Sequence, residues 1–121
     1  MKKLMFMLAA VAVAACAQAA SVSWTCTNVK DGSGNAINGV AYFINAATLS
    51  QSAFKALDGA DAFNTALSGM YSYTPGTAGK YTVASADAVA NSALGLSDSS
   101  DYNVYLAIFD TATIADSSKY Y

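Results

Sequence analysis

Tyr102-Asn103-Val104-Tyr105-Leu106-Ala107-Ile108-Phe109-Asp110 is the stretch on which the fold turns. In an extended chain Val104, Leu106 and Ile108 project to one side, and Tyr105, Ala107 and Phe109 to the other. Both sides are apolar, so this segment predicts a strand covered on both faces, in the middle of a sheet. Gly39 to Ala46 reads the same way: Val40, Tyr42 and Ile44 alternate with Ala41 and Phe43. These two segments are the expected central strands.

The remaining strands are weaker. Ser21 to Val29 carries Val22, Trp24 and Cys26 on one face and hydroxyl residues on the other, which predicts a half-buried first strand. The turn residues Asp31-Gly32-Ser33-Gly34-Asn35 follow it, and a hairpin from this strand to the Gly39–Ala46 strand is the expected pairing. Met70 to Thr74 and Lys80 to Ala84 flank Pro75-Gly76, which predicts a second hairpin around a type II turn.

Between the second and third strands the period changes. Leu49, Ala53, Ala56, Leu57, Ala60, Phe63 and Leu67 recur at spacings of three and four, a helical stripe. Gly59 divides it into two short helices, about 50–57 and 59–67, with Asp58 as the expected cap of the second and Gly69 as the stop. A third short helix is expected from Ser85 to about Leu94, closed by Gly95. The predicted fold is α+β: an antiparallel sheet, sandwich-like in one reading, with a helical insertion between strands two and three. An all-β sandwich is the alternative.

The N-terminus has a different character. Lys2 and Lys3 precede an apolar run from Leu4 to Ala15, and Ala17-Gln18-Ala19 follows. Charge, apolar core and small residues in that order describe a bacterial signal peptide, removed after Ala19 or Ala20. The run of 12 residues would cover roughly 18 Å as a helix, short of a hydrocarbon core about 30 Å thick. The expected domains are therefore 1–20, a signal peptide, and 21–121, a single β-rich exported domain with no membrane span. Val13-Ala14-Ala15-Cys16 also fits a lipoprotein signal, so anchoring through an acylated Cys16 is the alternative to a secreted, periplasmic or cell-surface location. The final Ser118-Lys119-Tyr120-Tyr121 reads as the opening of a strand, and truncation of a longer chain is expected there.

Composition narrows the chemistry. The chain has no His, no Arg and no Glu; its bases are Lys and its acids Asp. That removes the usual general base, the commonest transition-metal ligand and the bidentate anion clamp. Residues 21–121 hold four Lys against all eight Asp, which argues against nucleic acid and anionic lipid as partners. Cys26 would have no disulfide partner after cleavage, so it reads as a small buried apolar residue beside Trp24. No phosphate cradle is present.

Three weak constellations remain. Asp31 to Asn35 resembles the start of a calcium loop, but Ala36 stands where the loop needs Gly and Tyr42 where it needs a bidentate Glu. Asp98 and Asp101, in a serine-rich loop, are the candidate metal residues, with calcium as the only cofactor considered. Tyr71, Tyr73 and Tyr81 are the candidate ligand-binding residues, as a half-exposed row able to stack on sugars or anchor a protein. The sequence thus predicts a non-catalytic exported protein with a structural, adhesive or surface-interaction role. Its expected partners are a cell-surface protein or polysaccharide, or a second copy joined through sheet edges. A carbohydrate- or ligand-binding module is the alternative, and an Asp-dependent hydrolase the third reading.

Overall fold

The computed structural model describes residues 10–12, 21–97 and 102–121. In chain order the elements are β1 (Ala10–Ala12), β2 (Ser21–Val22), β3 (Ala41–Asn45), α1 (Gln51–Ala56), α2 (Ala60–Leu67), β4 (Ser72–Tyr73), β5 (Val89–Ala90) and β6 (Tyr102–Ile108). Short 3-10 turns occupy Ser85–Asp87 and Asn91–Leu94. Two antiparallel sheets and two helices make a mixed α+β architecture. The larger sheet has the order β1-β6-β3-β4, and the smaller pairs β2 with β5.

The two strongest strands meet as neighbours. β3 pairs antiparallel with β6 from Ala41 opposite Ile108 to Asn45 opposite Val104. Their alternation sorts the core as the sequence predicts. Ala41, Phe43, Val104, Leu106 and Ile108 join one cluster, with Val22, Trp24, Val29, Ile37, Tyr81 and Val83. Val40, Ile44, Tyr105, Ala107 and Phe109 join the other, with Phe54, Phe63 and Leu67 from the helices. Phe54 is fully buried and stands at the centre of the second cluster. Its ring lies 4.9 Å from Tyr120, 5.4 Å from Phe63 and 6.1 Å from Tyr105, mostly edge-to-face as ring quadrupoles prefer.

The predicted turn at Asp31–Asn35 closes a short antiparallel pairing, Lys30 opposite Ala36, but neither predicted strand-to-strand hairpin forms. The segment after β2 pairs with residues 79–83, not with β3: Trp24 N–H donates to the Val83 carbonyl at 3.1 Å, and Tyr81 N–H to the Cys26 carbonyl at 2.7 Å. The regular ladder in this segment is confined to Ser21–Val22, and Asn28 adopts a left-handed φ of 62°, which interrupts the expected Ser21–Val29 strand. β4 pairs with β3 instead of with the Lys80–Ala84 segment. β6 takes one edge of β3 and β4 the other, so no edge of β3 is left for the Ser21–Val29 segment.

The helices fall where the 3.6-residue stripe places them. Ser50 caps α1, its hydroxyl accepting the Ala53 N–H at 3.1 Å. Asp58 does not cap α2. Gly59 holds the cap position at φ 83°, and the Asp116 carboxylate accepts the Ala60 N–H at 2.7 Å from the far end of the chain. The expected third helix is replaced by the two 3-10 turns flanking β5, ended by Gly95 in the left-handed conformation.

One glycine is required by contact rather than by φ. A β-carbon on Gly39 would stand 1.9 Å from the Phe109 carbonyl oxygen. The chain entering β3 runs directly against the end of β6 there.

Candidate functional site

Of the row predicted on Tyr71, Tyr73 and Tyr81, the first two are half-exposed as expected and Tyr81 is buried. Tyr81 is fully buried and donates its hydroxyl to the Gly39 carbonyl at 2.8 Å. Tyr73 is half-buried, donates to the Thr82 carbonyl at 3.3 Å and meets Tyr81 edge-on at 6.3 Å. Tyr71 packs edge-on to Trp24 at 6.2 Å, and Trp24 lies 5.2 Å from Phe43. These rings support the sheet from beneath. Only Tyr81 is fully enclosed, held between the Gly39 carbonyl and the Tyr73 ring.

The oxygen-rich candidates divide in two. Asp98, Asp101 and the lipidation candidate Cys16 lie outside the described residues. Asp31 directs its carboxylate at its own loop: Oδ1 accepts the N–H of Ser33 at 2.9 Å and of Asn35 at 2.8 Å, and Oδ2 accepts the Asn35 amide at 3.2 Å. Those bonds, led by the backbone of Asn35, hold its pKa below the ordinary carboxylate value. The loop is a closed Asx turn. Among the described residues no three acidic or sulfur ligands gather where they could hold a metal ion.

Cys26 is half-buried, and burial pushes its thiol pKa up, opposite to the shift that activates a nucleophile. Its N–H donates to the Thr82 hydroxyl at 3.2 Å, which fixes the local backbone.

The feature that sequence reasoning missed lies along the side of β6 away from β3. Backbone groups of odd-numbered residues point at β3: Phe109 N–H donates to the Val40 carbonyl at 2.8 Å. Even-numbered residues therefore point the other way, into a lane outside the β6–β3 pair. Two short segments use that lane. At one end Ile108 and Tyr121 exchange both backbone bonds, at 3.1 and 2.8 Å, and Asp110 N–H donates to the Lys119 carbonyl at 2.9 Å. At the other end β1 pairs antiparallel, Ala10 opposite Val104 and Ala12 opposite Tyr102. Leu106 falls between the two registers.

A cavity of about 540 Å³ opens beside this gap. Leu106 and Ile108 form its floor, and Cys26, Val29, Lys30 and Asp31 line it from the opposite wall. Tyr121, opposite Ile108, is buried, receives a backbone hydrogen bond from Gly32, and has its phenol pKa raised by burial and by the nearby Asp110 and Asp31. The only sequence signal for this site was the terminal Tyr120-Tyr121 pair, read as the start of a strand; the two rings enter opposite clusters, as strand alternation requires.

No family model matches the chain, and neither a curated protein nor a solved structure matches it. No helix among the described residues is long and apolar enough to cross a membrane.

Proposed function

We propose that this chain is a non-catalytic exported bacterial protein whose role is structural or surface-interacting, exercised through strand pairing at its sheet edge. The observation that supports the reading is the β1–β6 pairing beside an apolar cavity: removal of residues 1–20 would take β1 away and leave backbone groups of Tyr102–Val104 at the sheet edge. An edge of that kind is a template for another strand. The chemistry of the described polar groups supports the same reading. Burial pushes the Cys26 thiol pKa up, and the Asp31 carboxylate accepts from its own loop.

Export is the sequence's contribution: the Lys2-Lys3 charge, the Leu4–Ala15 run and the small residues after it. The experiment is expression of the full chain in a bacterial host, fractionation, and mass spectrometry of the N-terminus. The expected product begins at Ala20 or Ser21 and is recovered outside the cytoplasm. A chain retaining its leader in the cytoplasmic fraction would overturn the reading, and an N-terminal acylated Cys16 would replace secretion with anchoring.

A further inference from the structure

We infer that β1 makes the leader a strand of the folded precursor, so that folding of the chain and removal of residues 1–20 exclude one another. The cut is made only while β1 and β2 are out of their sheets. This inference rests on the export reading above and adds the order in which folding and cutting proceed.

Both sides of the expected cut are paired. Ala10–Ala12 lies inside the apolar run from Leu4 to Ala15 and runs antiparallel to β6, with Ala10 opposite Val104 and Ala12 opposite Tyr102. Even-numbered residues of β6 turn their backbone groups to this side, as Ile108 does towards Tyr121. Ala10 and Ala12 are therefore the leader residues bonded to the sheet. Downstream, the bond after Ala20 belongs to Ser21 itself. Ser21 pairs with Ala90 and Val22 with Val89. Val22 is buried, and Trp24 beyond it bridges Val83.

Neither step of leader processing can use that geometry. A leader that enters a bilayer must satisfy its backbone groups within itself, as a helix, and β1 holds the same groups in a ladder with β6. A peptidase needs unpaired chain on both sides of the bond it cuts, so cleavage proceeds through the population in which these strands are open. Freeing the downstream side pulls Val22 out of the apolar cluster that it shares with Trp24 and Val83, which keeps that population small. An unfolded chain carries neither constraint. The order is export, cut, and then closure of the sheet.

The test uses the full chain, incubated with a purified bacterial signal peptidase in detergent micelles and followed by mass spectrometry. The comparison is full-length Tyr105→Pro. It removes a buried ring and a backbone N–H from the middle of β6, which unfolds the sheet, and it leaves the leader untouched. The folded wild-type chain is expected to be cut at least about tenfold more slowly than the variant. Backbone amides of Ala10 and Ala12 should exchange slowly in the wild type and freely in the variant. Cutting of both chains at one rate would overturn the inference and leave export standing. Exchange at Ala10 and Ala12 as fast in the wild type as in the variant would overturn it equally. If neither chain is cut, the export reading itself fails and takes the inference with it.

Discussion

The Asp116 carboxylate accepts the first free N–H of α2, that of Ala60, at 2.7 Å across 56 residues of sequence. Gly59 offers no side chain for the task, and Asp58 sits one position too early. Asp116→Ala should therefore destabilise the protein by about 1 kcal/mol, the usual worth of a helix cap, measured by urea unfolding. Asp116→Asn should retain most of that stability because its carbonyl oxygen still accepts. Equal losses in both variants would show that charge, not the hydrogen bond, carries the effect.

Gly39→Ala should be far more damaging. The added carbon would meet the Phe109 carbonyl at 1.9 Å and the Thr111 nitrogen at 2.5 Å, both backbone atoms within the β3–β6 junction. The expected loss is more than about 3 kcal/mol, at the severe end of overpacking, and the protein should accumulate poorly in the soluble fraction. Gly34→Ala is the comparison: no atom stands within 4 Å, so its cost comes only from φ +88°.

Alkaline pH should unfold the protein through its inner tyrosines. Burial raises the phenols of Tyr81 and Tyr105 from 10.0 to about 12. Each group binds its proton more tightly folded than unfolded. Its stabilising contribution is complete below pH 10 and falls away as pH rises from there towards 12. Unfolding followed by far-ultraviolet dichroism should steepen in that window, and Tyr81→Phe should flatten it. Tyr81→Phe also removes the bond to the Gly39 carbonyl, so a loss of about 1–2 kcal/mol at neutral pH is expected.

Acid acts through Asp31 with the opposite sign. Its folded pKa lies below the unfolded 3.8, so its contribution is present above 3.8 and is lost as pH falls through the lower folded value. The stabilities of the wild-type chain and Asp31→Ala should differ at neutral pH and converge in acid. A constant difference down to pH 2 would assign the effect to loop geometry instead of the ionised carboxylate.

The faces of the strands were legible because alternation is a local property. Val104, Leu106 and Ile108 had to share a side whatever partner they met, and the same holds for Ala41 with Phe43. Ser50 and the stripe through Phe54 and Phe63 marked the helices for the same reason. Pairing was not legible. The hairpins predicted from Asp31–Asn35 and Pro75-Gly76 obey turn chemistry, yet Trp24 bridges Val83 and β3 takes β6 and β4. Nothing in the residues between two strands encodes a partner sixty positions away. Tyr81 failed as a surface candidate on the same account: its neighbours Lys80 and Thr82 read as solvent-facing, and only the Gly39 carbonyl and Tyr73, brought close by tertiary packing, explain its burial. The β6 lane was beyond sequence reasoning because it is made of backbone.

The pairing of β3 with β6 also governs when the molecule can take shape. Residues 41–45 have no central neighbour until residues 104–108 have been synthesised. A nascent chain therefore carries an open β3 edge across the whole stretch from residue 46 to residue 103, and the contacts that close this edge form across a long loop.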